Sequence, residues 1–169
     1  WLDERIGTSA RIGAERRHAS WYARMGDDGA IERLERTGSA ARWRSFVGER
    51  DNLLVATRRS LDVRDGDTAG RCCIATLLVF DTRGPVSAGM AAAGPVLARG
   101  DLPPSLEVRL LLRLARLERQ AGRAAQAETL LRRAHARAEA IGDHRFAGIV
   151  LNALATVAAE GDRLPEAIA

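Results

Sequence analysis

The sequence predicts an all-α protein in which antiparallel helical hairpins stack into a right-handed superhelix. Apolar residues recur at helical intervals through almost the whole chain of 169 residues, and no stretch alternates as a strand would. Aromatic residues make up only 4% of the chain, so the core must be built from Leu, Ala, Val and Ile, which suits close helix packing. Glycine-containing turns also recur at a regular distance, which is typical of a helical solenoid.

The N-terminal part is expected to contain two long helices. The first helix covers about residues 8–25, and a loop with Gly26, Asp27, Asp28 and Gly29 follows it. Residues 30–38 add a short polar helical turn, and the second long helix runs from about 40 to 63. The segment "DGD" at 65–67 ends that helix, with Gly66 as the left-handed residue and Asp67 as the next N-cap.

The C-terminal part predicts shorter helices joined by tight turns. We expect helices at about 68–82, 85–99, 106–121, 124–141 and 144–160, with a truncated eighth helix after the turn "EGDRLPEA". The turns are marked by "RGP", "RGDLPPS", Gly122 and "IGD". Because these loops are short, consecutive helices must lie antiparallel.

Three of the turns can be aligned as copies of one unit. The segments "TRGPVSAG" (82–89), "QAGRAAQA" (120–127) and "EGDRLPEA" (160–167) each place a small residue after a Gly-containing turn. The small residues are Gly89, Ala127 and Ala167, separated by 38 and 40 residues. A helix pair cannot bury its apolar face alone, so copies repeated at this period are expected to stack and cover one another.

The repeated pattern resembles the tetratricopeptide repeat in a longer form of about 40 residues. The matching positions of one copy are Leu111, Leu114, Ala115, Gly122, Ala127, Leu131 and Ala134. The next copy has Leu151, Leu154, Ala155 and Ala167, and the earlier copy is degenerate, with Cys73, Thr76, Leu77, Phe80, Gly84 and Gly89. The resemblance implies copies at about 67–103, 104–142 and 143–169, the last one truncated, preceded by an N-terminal helical segment at 1–66.

The N-terminal half is similar to a region of large bacterial signal-transduction ATPases of the NB-ARC/STAND class. The similarity lies in "RRHASWY" (16–22), Trp43, "ERDNLLVA" (49–56) and "RGPVSAG" (83–89). It implies a cytoplasmic arm of a larger regulator of signalling or transcription, which contacts a protein, a peptide or a neighbouring domain. The chain begins with Trp1 and ends part-way through an apparent helix, so we expect it to be a segment of a longer protein.

Several polar residues lie close together in the second long helix. Glu49, Asp51 and Asn52 stand directly before Leu53 and Leu54. Buried polar groups must find partners, so these three side chains are predicted to form a polar contact between helices where the N-terminal helices meet the first hairpin. The alternative is a solvated face, with only the leucines in the core.

A stripe of arginines gives the candidate binding residues. Arg109, Arg113 and Arg116 are spaced four and three residues apart on one helix, so they share a face. The resemblance places them towards the concave groove of a tetratricopeptide hairpin, with Asn152 in the corresponding helix of the next hairpin. Guanidinium groups suit carboxylates, so an acidic peptide or domain is the expected occupant. The alternative is an ordinary charged helix face in a protein whose basic residues are all arginine.

The sequence contains no recognisable catalytic centre. A Walker loop requires lysine, and the chain has none, while the three histidines are far apart and the two cysteines are adjacent. We therefore expect no enzyme activity, cofactor or metal site. The longest apolar run, residues 72–80, is far shorter than the roughly 20 residues of a membrane helix.

A nucleic-acid-binding helical module is the alternative function, motivated by the net charge of +4. The arginines are interleaved with 22 acidic residues, and we find no recognition helix of the helix-turn-helix type. Binding to nucleic acid is therefore the less favoured interpretation.

Overall fold

A computed structural model describes residues 2–36 and 40–167 of the chain. The described residues form helices and connecting turns, with no strand among them. The helices are α1 (Leu2–Ala23), α2 (Asp28–Glu35), α3 (Ala40–Gly48), α4 (Arg50–Asp62), α5 (Gly66–Thr82), α6 (Val86–Ala98), α7 (Pro104–Gln120), α8 (Ala124–Ala140) and α9 (His144–Ala167). A 3-10 turn, Arg24–Gly26, links α1 to α2. The all-α prediction is confirmed, and the arrangement is consistent with an α-α superhelix.

The prediction of one long helix from 40 to 63 is wrong. The chain forms α3 and α4 instead, with the break at Gly48 and Glu49. The N–H group of Glu49 donates to the carbonyl oxygen of Phe46 at 3.1 Å, which tightens the last turn of α3. Glycine is unfavourable inside a helix by about 1 kcal/mol, so Gly48 weakens the continuous alternative.

The predicted loop at 26–29 is shorter than expected, because Asp28 and Gly29 already belong to α2. The short helical turn predicted for 30–38 corresponds to the rest of α2, which ends at Glu35. Thr37 and Gly38 lie outside the described residues. This segment is therefore a helix of eight residues, which can present one defined face to its neighbours.

The first core surrounds α5. The apolar run 72–80 is buried on all sides, because α1, α4, α6 and α7 pack around this helix. Ile74, Leu77 and Val79 have no exposed surface. Leu106, Leu110 and Leu117 of α7 join this core from the other side. The apolar run 72–80, which is too short to span a membrane, thus belongs to the central helix of the fold, α5.

The turn before α5 differs from the prediction by one or two residues. The left-handed residue is Arg64, with a φ of 58°, and not Gly66. The N-cap of α5 is Asp65 and not Asp67, because the carboxylate of Asp65 accepts a hydrogen bond from the N–H of Thr68 at 3.0 Å. Gly66 is needed for another reason: a Cβ there would lie 2.9 Å from the carbonyl oxygen of Asp101. Close approach to a distant segment, rather than backbone conformation, therefore explains this glycine.

The hairpin turns at Gly122 and Gly142 are confirmed. Their φ angles are +75° and +69°, and in each turn the next N–H donates at 2.9 Å to a carbonyl five residues earlier, Arg123 to Glu118 and Asp143 to Ala138. This is the Schellman arrangement that ends a helix with a left-handed residue. The turns make α7, α8 and α9 antiparallel neighbours with a second core between them.

The predicted turn "EGDRLPEA" and the eighth helix are wrong, because α9 continues without a break to Ala167. Helix α9 therefore contains Gly161 and Pro165 despite their poor helix propensity. The side chain of Ala167 lies outside the described residues, so its role as a repeat position stays a prediction.

The aligned repeat positions differ in burial between copies. Leu111, Ala115, Ala127, Leu131 and Ala134 are buried, as the pattern predicts. Leu151, which aligns with Leu111, is 51% exposed, and Ala155 is exposed as well. The difference arises because α8 packs on α7, whereas no described helix covers the corresponding face of α9.

Candidate partner-binding groove

An open groove of about 400 Å³ lies between α2, α7 and α9. Helix α7 contributes Leu112, Arg113, Arg116 and Arg119, and α9 contributes Arg145, Phe146, Ile149 and Asn152. Helix α2 contributes Asp28, Ile31, Glu32 and Glu35 to the opposite side. The helical hairpins place α7 and α9 side by side, because α8 lies behind both.

The structure brings three of the four predicted binding residues to this groove. Arg113, Arg116 and Asn152 line it, and Asn152 is exposed. Ile149 is 40% exposed, so an apolar side chain also faces a potential occupant. The groove therefore offers guanidinium groups, an amide and an apolar contact on adjacent helices.

The prediction that Arg109 faces the groove is wrong. Its side chain is buried, donates a hydrogen bond of 2.6 Å to the carbonyl oxygen of Gly26 and pairs with Asp28 at 2.8 Å. Burial lowers the pKa of its guanidinium, while the nearby Asp28 carboxylate opposes that shift. Because α7 packs against the N-terminal segment, Arg109 links these two parts of the chain and does not face the groove.

Each arginine of α7 has a carboxylate partner in the same chain. Besides Arg109, Arg113 pairs with Glu35 at 3.4 Å, Arg116 with Asp81 at 2.9 Å and Arg119 with Glu160 at 2.7 Å. Asp81 is the most enclosed of these acids, with a side chain only 6% exposed. This internal pairing reduces the positive field of α7 and weakens the case for nucleic-acid binding.

Sequence reasoning missed the acidic side of the groove. Asp28, Glu32 and Glu35 are spaced four and three residues apart, so they form one stripe along α2. Glu32 pairs with Arg145 of α9 at 3.0 Å, across 113 residues of sequence. The spacing is visible in the sequence, but the expected loop at 26–29 contains Asp28, and spacing within a loop carries no information about faces.

The polar group at the start of α4 joins α4 to α1. The hydroxyl of Tyr22 donates to Oε2 of Glu49 at 2.7 Å, and the amide of Asn52 donates to the same oxygen at 2.8 Å. These two bonds, the Asn52 bond first, hold the pKa of Glu49 below its ordinary value. The prediction that Asp51 takes part in this contact is wrong. Its side chain is 80% exposed and pairs with the adjacent Arg50.

Both cysteines are buried: Cys73 lies in the first core, and Cys72 lies in a small separate cluster with Ala19, Ala23 and Ala56. The thiol of Cys72 approaches the carbonyl oxygen of Ala19 at 3.5 Å, and burial raises the pKa of Cys72 to about 12. Burial also raises the pKa of Cys73, which is completely inaccessible. Thiols in such surroundings behave as small apolar side chains.

No group of His, Cys, Asp and Glu side chains within the described part of the chain has the arrangement of a metal site. None of the helices described there is both long and apolar enough to cross a bilayer.

The fold and the groove together define a helical-repeat protein. Within it, residues 106–169 match the tetratricopeptide repeat family. Repeats of this family generally mediate contacts between proteins, and this part of the chain contains α7, α8 and α9. Comparison with curated proteins and with solved structures gives no match.

Proposed function

We propose that this chain is a protein-interaction or sensor arm of a larger bacterial regulatory ATPase and is not catalytic by itself. The observation that carries the proposal is the groove between α2, α7 and α9, where Arg113, Arg116 and Asn152 meet on a tetratricopeptide-like surface. The ATPase context rests on the similarity of the N-terminal half to NB-ARC/STAND proteins. In this proposal residues 1–66 form a helical segment that leads into the repeats.

The proposed mechanism is binding coupled to domain contact. A protein or peptide in the groove would change how the arm packs on the nucleotide-binding module, and a ligand shifts such an equilibrium only by its different affinity for the two states. The Tyr22–Glu49 hydrogen bond supports this role, because it joins α1 to the start of α4.

The test uses the full-length parent protein and its rate of ATP hydrolysis. The variants are Arg113→Glu in the groove and, as a matched control on α8, Arg132→Glu. The side chain of Arg132 is 69% exposed and pairs with Glu128 of the same helix. We expect Arg113→Glu to change the hydrolysis rate or its response to activating conditions, and Arg132→Glu to leave both unchanged.

Deletion of residues 1–169 gives the decisive comparison. Parent proteins with and without this segment must differ in ATP hydrolysis if the segment is a regulatory arm. Identical rates and identical responses in the two proteins would refute the proposal, whatever the effect of the point variants.

A further inference from the structure

We propose that the groove binds a short acidic helix of a partner protein, and that α2 is a tethered competitor for the same arginines. This inference rests on the proposed function and adds the chemical class of the partner and a means of regulation. It starts from the position of α2, whose three acidic residues line the groove.

Helix α2 has two faces with different roles. Ile31 and Leu34 are 5% and 6% exposed and anchor the helix in the first core. Glu32 and Glu35 lie on the other face, where they pair with Arg145 and Arg113. The chain thus shows that a helix with carboxylates one turn apart fits the arginines of α7 and α9.

The ion pairs of α2 are suited to exchange. The Glu32–Arg145 pair is exposed on both sides, at 53% and 61%, so water and salt compete with it. In the Glu35–Arg113 pair the carboxylate is 55% exposed and the guanidinium 19%, and the N–O distance is 3.4 Å. Exposed pairs of this kind contribute little to stability. A partner can therefore take the guanidinium groups while the apolar face of α2 stays in the core.

The open side of the groove supplies the remaining contacts for an acidic helix. Arg116 and Arg119 also line the groove, but they already pair with Asp81 and Glu160. Phe146 and Ile149 of α9 provide apolar surface. Of the four arginines that line the groove, Arg113 and Arg145 have their carboxylate partners on α2. Neutralising Glu32 and Glu35 removes these two partners and makes the groove more positive, which favours an acidic occupant.

The experiment measures binding of a defined probe to the chain by fluorescence anisotropy at about 50 mM salt. The probe is a labelled, alanine-based helical peptide with three glutamates at positions i, i+4 and i+7. A second peptide of the same composition spreads the glutamates around the helix. The protein variants are Glu32→Gln/Glu35→Gln in α2, Arg113→Glu in the groove and Glu128→Gln on α8 as the matched control.

We expect Glu32→Gln/Glu35→Gln to bind the peptide with glutamates at i, i+4 and i+7 roughly fivefold more tightly than the unmodified chain does, since the two ion pairs of α2 no longer compete. Glu128→Gln should bind as the unmodified chain does, Arg113→Glu should bind more weakly, and the spread peptide should bind more weakly to every variant. Circular dichroism of each variant verifies that the helices are retained.

Three outcomes would overturn the inference. Equal affinity of the unmodified chain and Glu32→Gln/Glu35→Gln, with binding lost in Arg113→Glu, refutes the competitor role of α2 but leaves the groove as a binding site. Equal binding of the two peptides shows non-specific attraction and refutes the helical template. Absence of binding to every variant refutes the acidic partner, and the ATP hydrolysis test then decides the proposed function separately.

Discussion

The guanidinium of Arg109 donates a hydrogen bond of 2.6 Å to the carbonyl oxygen of Gly26, 83 residues earlier in the chain. The bond joins α7 to the 3-10 turn that precedes α2. Gly26 lies directly against α5, where a Cβ would collide with the backbone carbonyl of Arg71, so this approach requires glycine. This link fixes the N-terminal segment against the repeats and thereby positions the acidic side of the groove.

The first prediction concerns that link. Arg109→Met keeps a long side chain but removes the donor to Gly26 and the partner of Asp28, so the free energy of unfolding should fall by about 2 kcal/mol. Urea denaturation followed by circular dichroism measures the change. Arg132→Met removes an exposed arginine of α8 and should change stability by less than about 0.5 kcal/mol. Equal stability of the two variants would show that the buried guanidinium contributes nothing.

The second prediction tests the small residue at the repeat position in α6. A Cβ at Gly89 would lie 2.7 Å from Cδ1 of Leu117 and 2.9 Å from Cβ of Phe80, so Gly89→Ala should destabilise the protein by about 1–3 kcal/mol through overpacking. Gly94 is in the same helix, and a Cβ there meets nothing within 4 Å. Gly94→Ala should therefore be neutral or stabilise by up to about 1 kcal/mol. Thermal unfolding of both variants measures their difference in stability. Equal stability would show that the close approach of α6 to Leu117 and Phe80 is unimportant.

The third prediction concerns pH. Hydrogen bonds from Asn52 and Tyr22 hold the pKa of Glu49 in the folded protein below its ordinary value near 4.5. Such a carboxylate adds stability that is fully present above the unfolded pKa and is lost as pH falls through the folded pKa. Tyr22→Phe removes one donor and raises the pKa of Glu49 towards its ordinary value.

The destabilisation caused by Tyr22→Phe should therefore be largest above about pH 4.5 and should shrink at lower pH. Urea unfolding of both proteins at pH 7, 5, 4 and 3 provides the comparison. Other carboxylates titrate in both proteins and cancel in the difference. A difference that is constant across these pH values would show that the Tyr22 bond does not depend on the charge of Glu49.

The fourth prediction concerns the thiols. Because burial raises the pKa of Cys72 to about 12 and also raises that of Cys73, iodoacetamide at pH 8 should alkylate both at least roughly a hundredfold more slowly in the folded protein than in guanidinium chloride. Mass spectrometry after timed quenching measures the rates. An added cysteine at exposed Thr129 serves as an internal reference that should react quickly in both conditions. Rapid modification of Cys72 or Cys73 in the folded state would show that α5 opens.

Local signals explain which parts of the fold were predictable. Gly122 and Gly142 mark helix ends because the Schellman hydrogen bonds of those turns require a left-handed residue. Each of these bonds joins residues five apart, so the signal is local in the sequence. Signals weaken where tertiary packing competes with them. Arg64 takes the left-handed place expected for Gly66, since Gly66 is needed where the chain passes Asp101.

The candidate site was predictable only in part. The spacing of Arg113 and Arg116 placed them on one face of α7, and helical hairpins brought Asn152 beside them. The same spacing also selected Arg109, which the structure buries against Gly26. Periodicity tells which residues share a face, but it does not tell which neighbour that face meets.

The sequence by itself determined the all-α class, the antiparallel hairpins of α7 to α9 and the small residues where helices approach closely. These features follow from helical periodicity and turn chemistry, which act over a few residues. Only the tertiary structure decided that α2 faces α7 and α9, since Glu32 and Arg145 are 113 residues apart and no repeat relates them. Their contact depends on how two cores pack together, and that packing is a property of the whole chain.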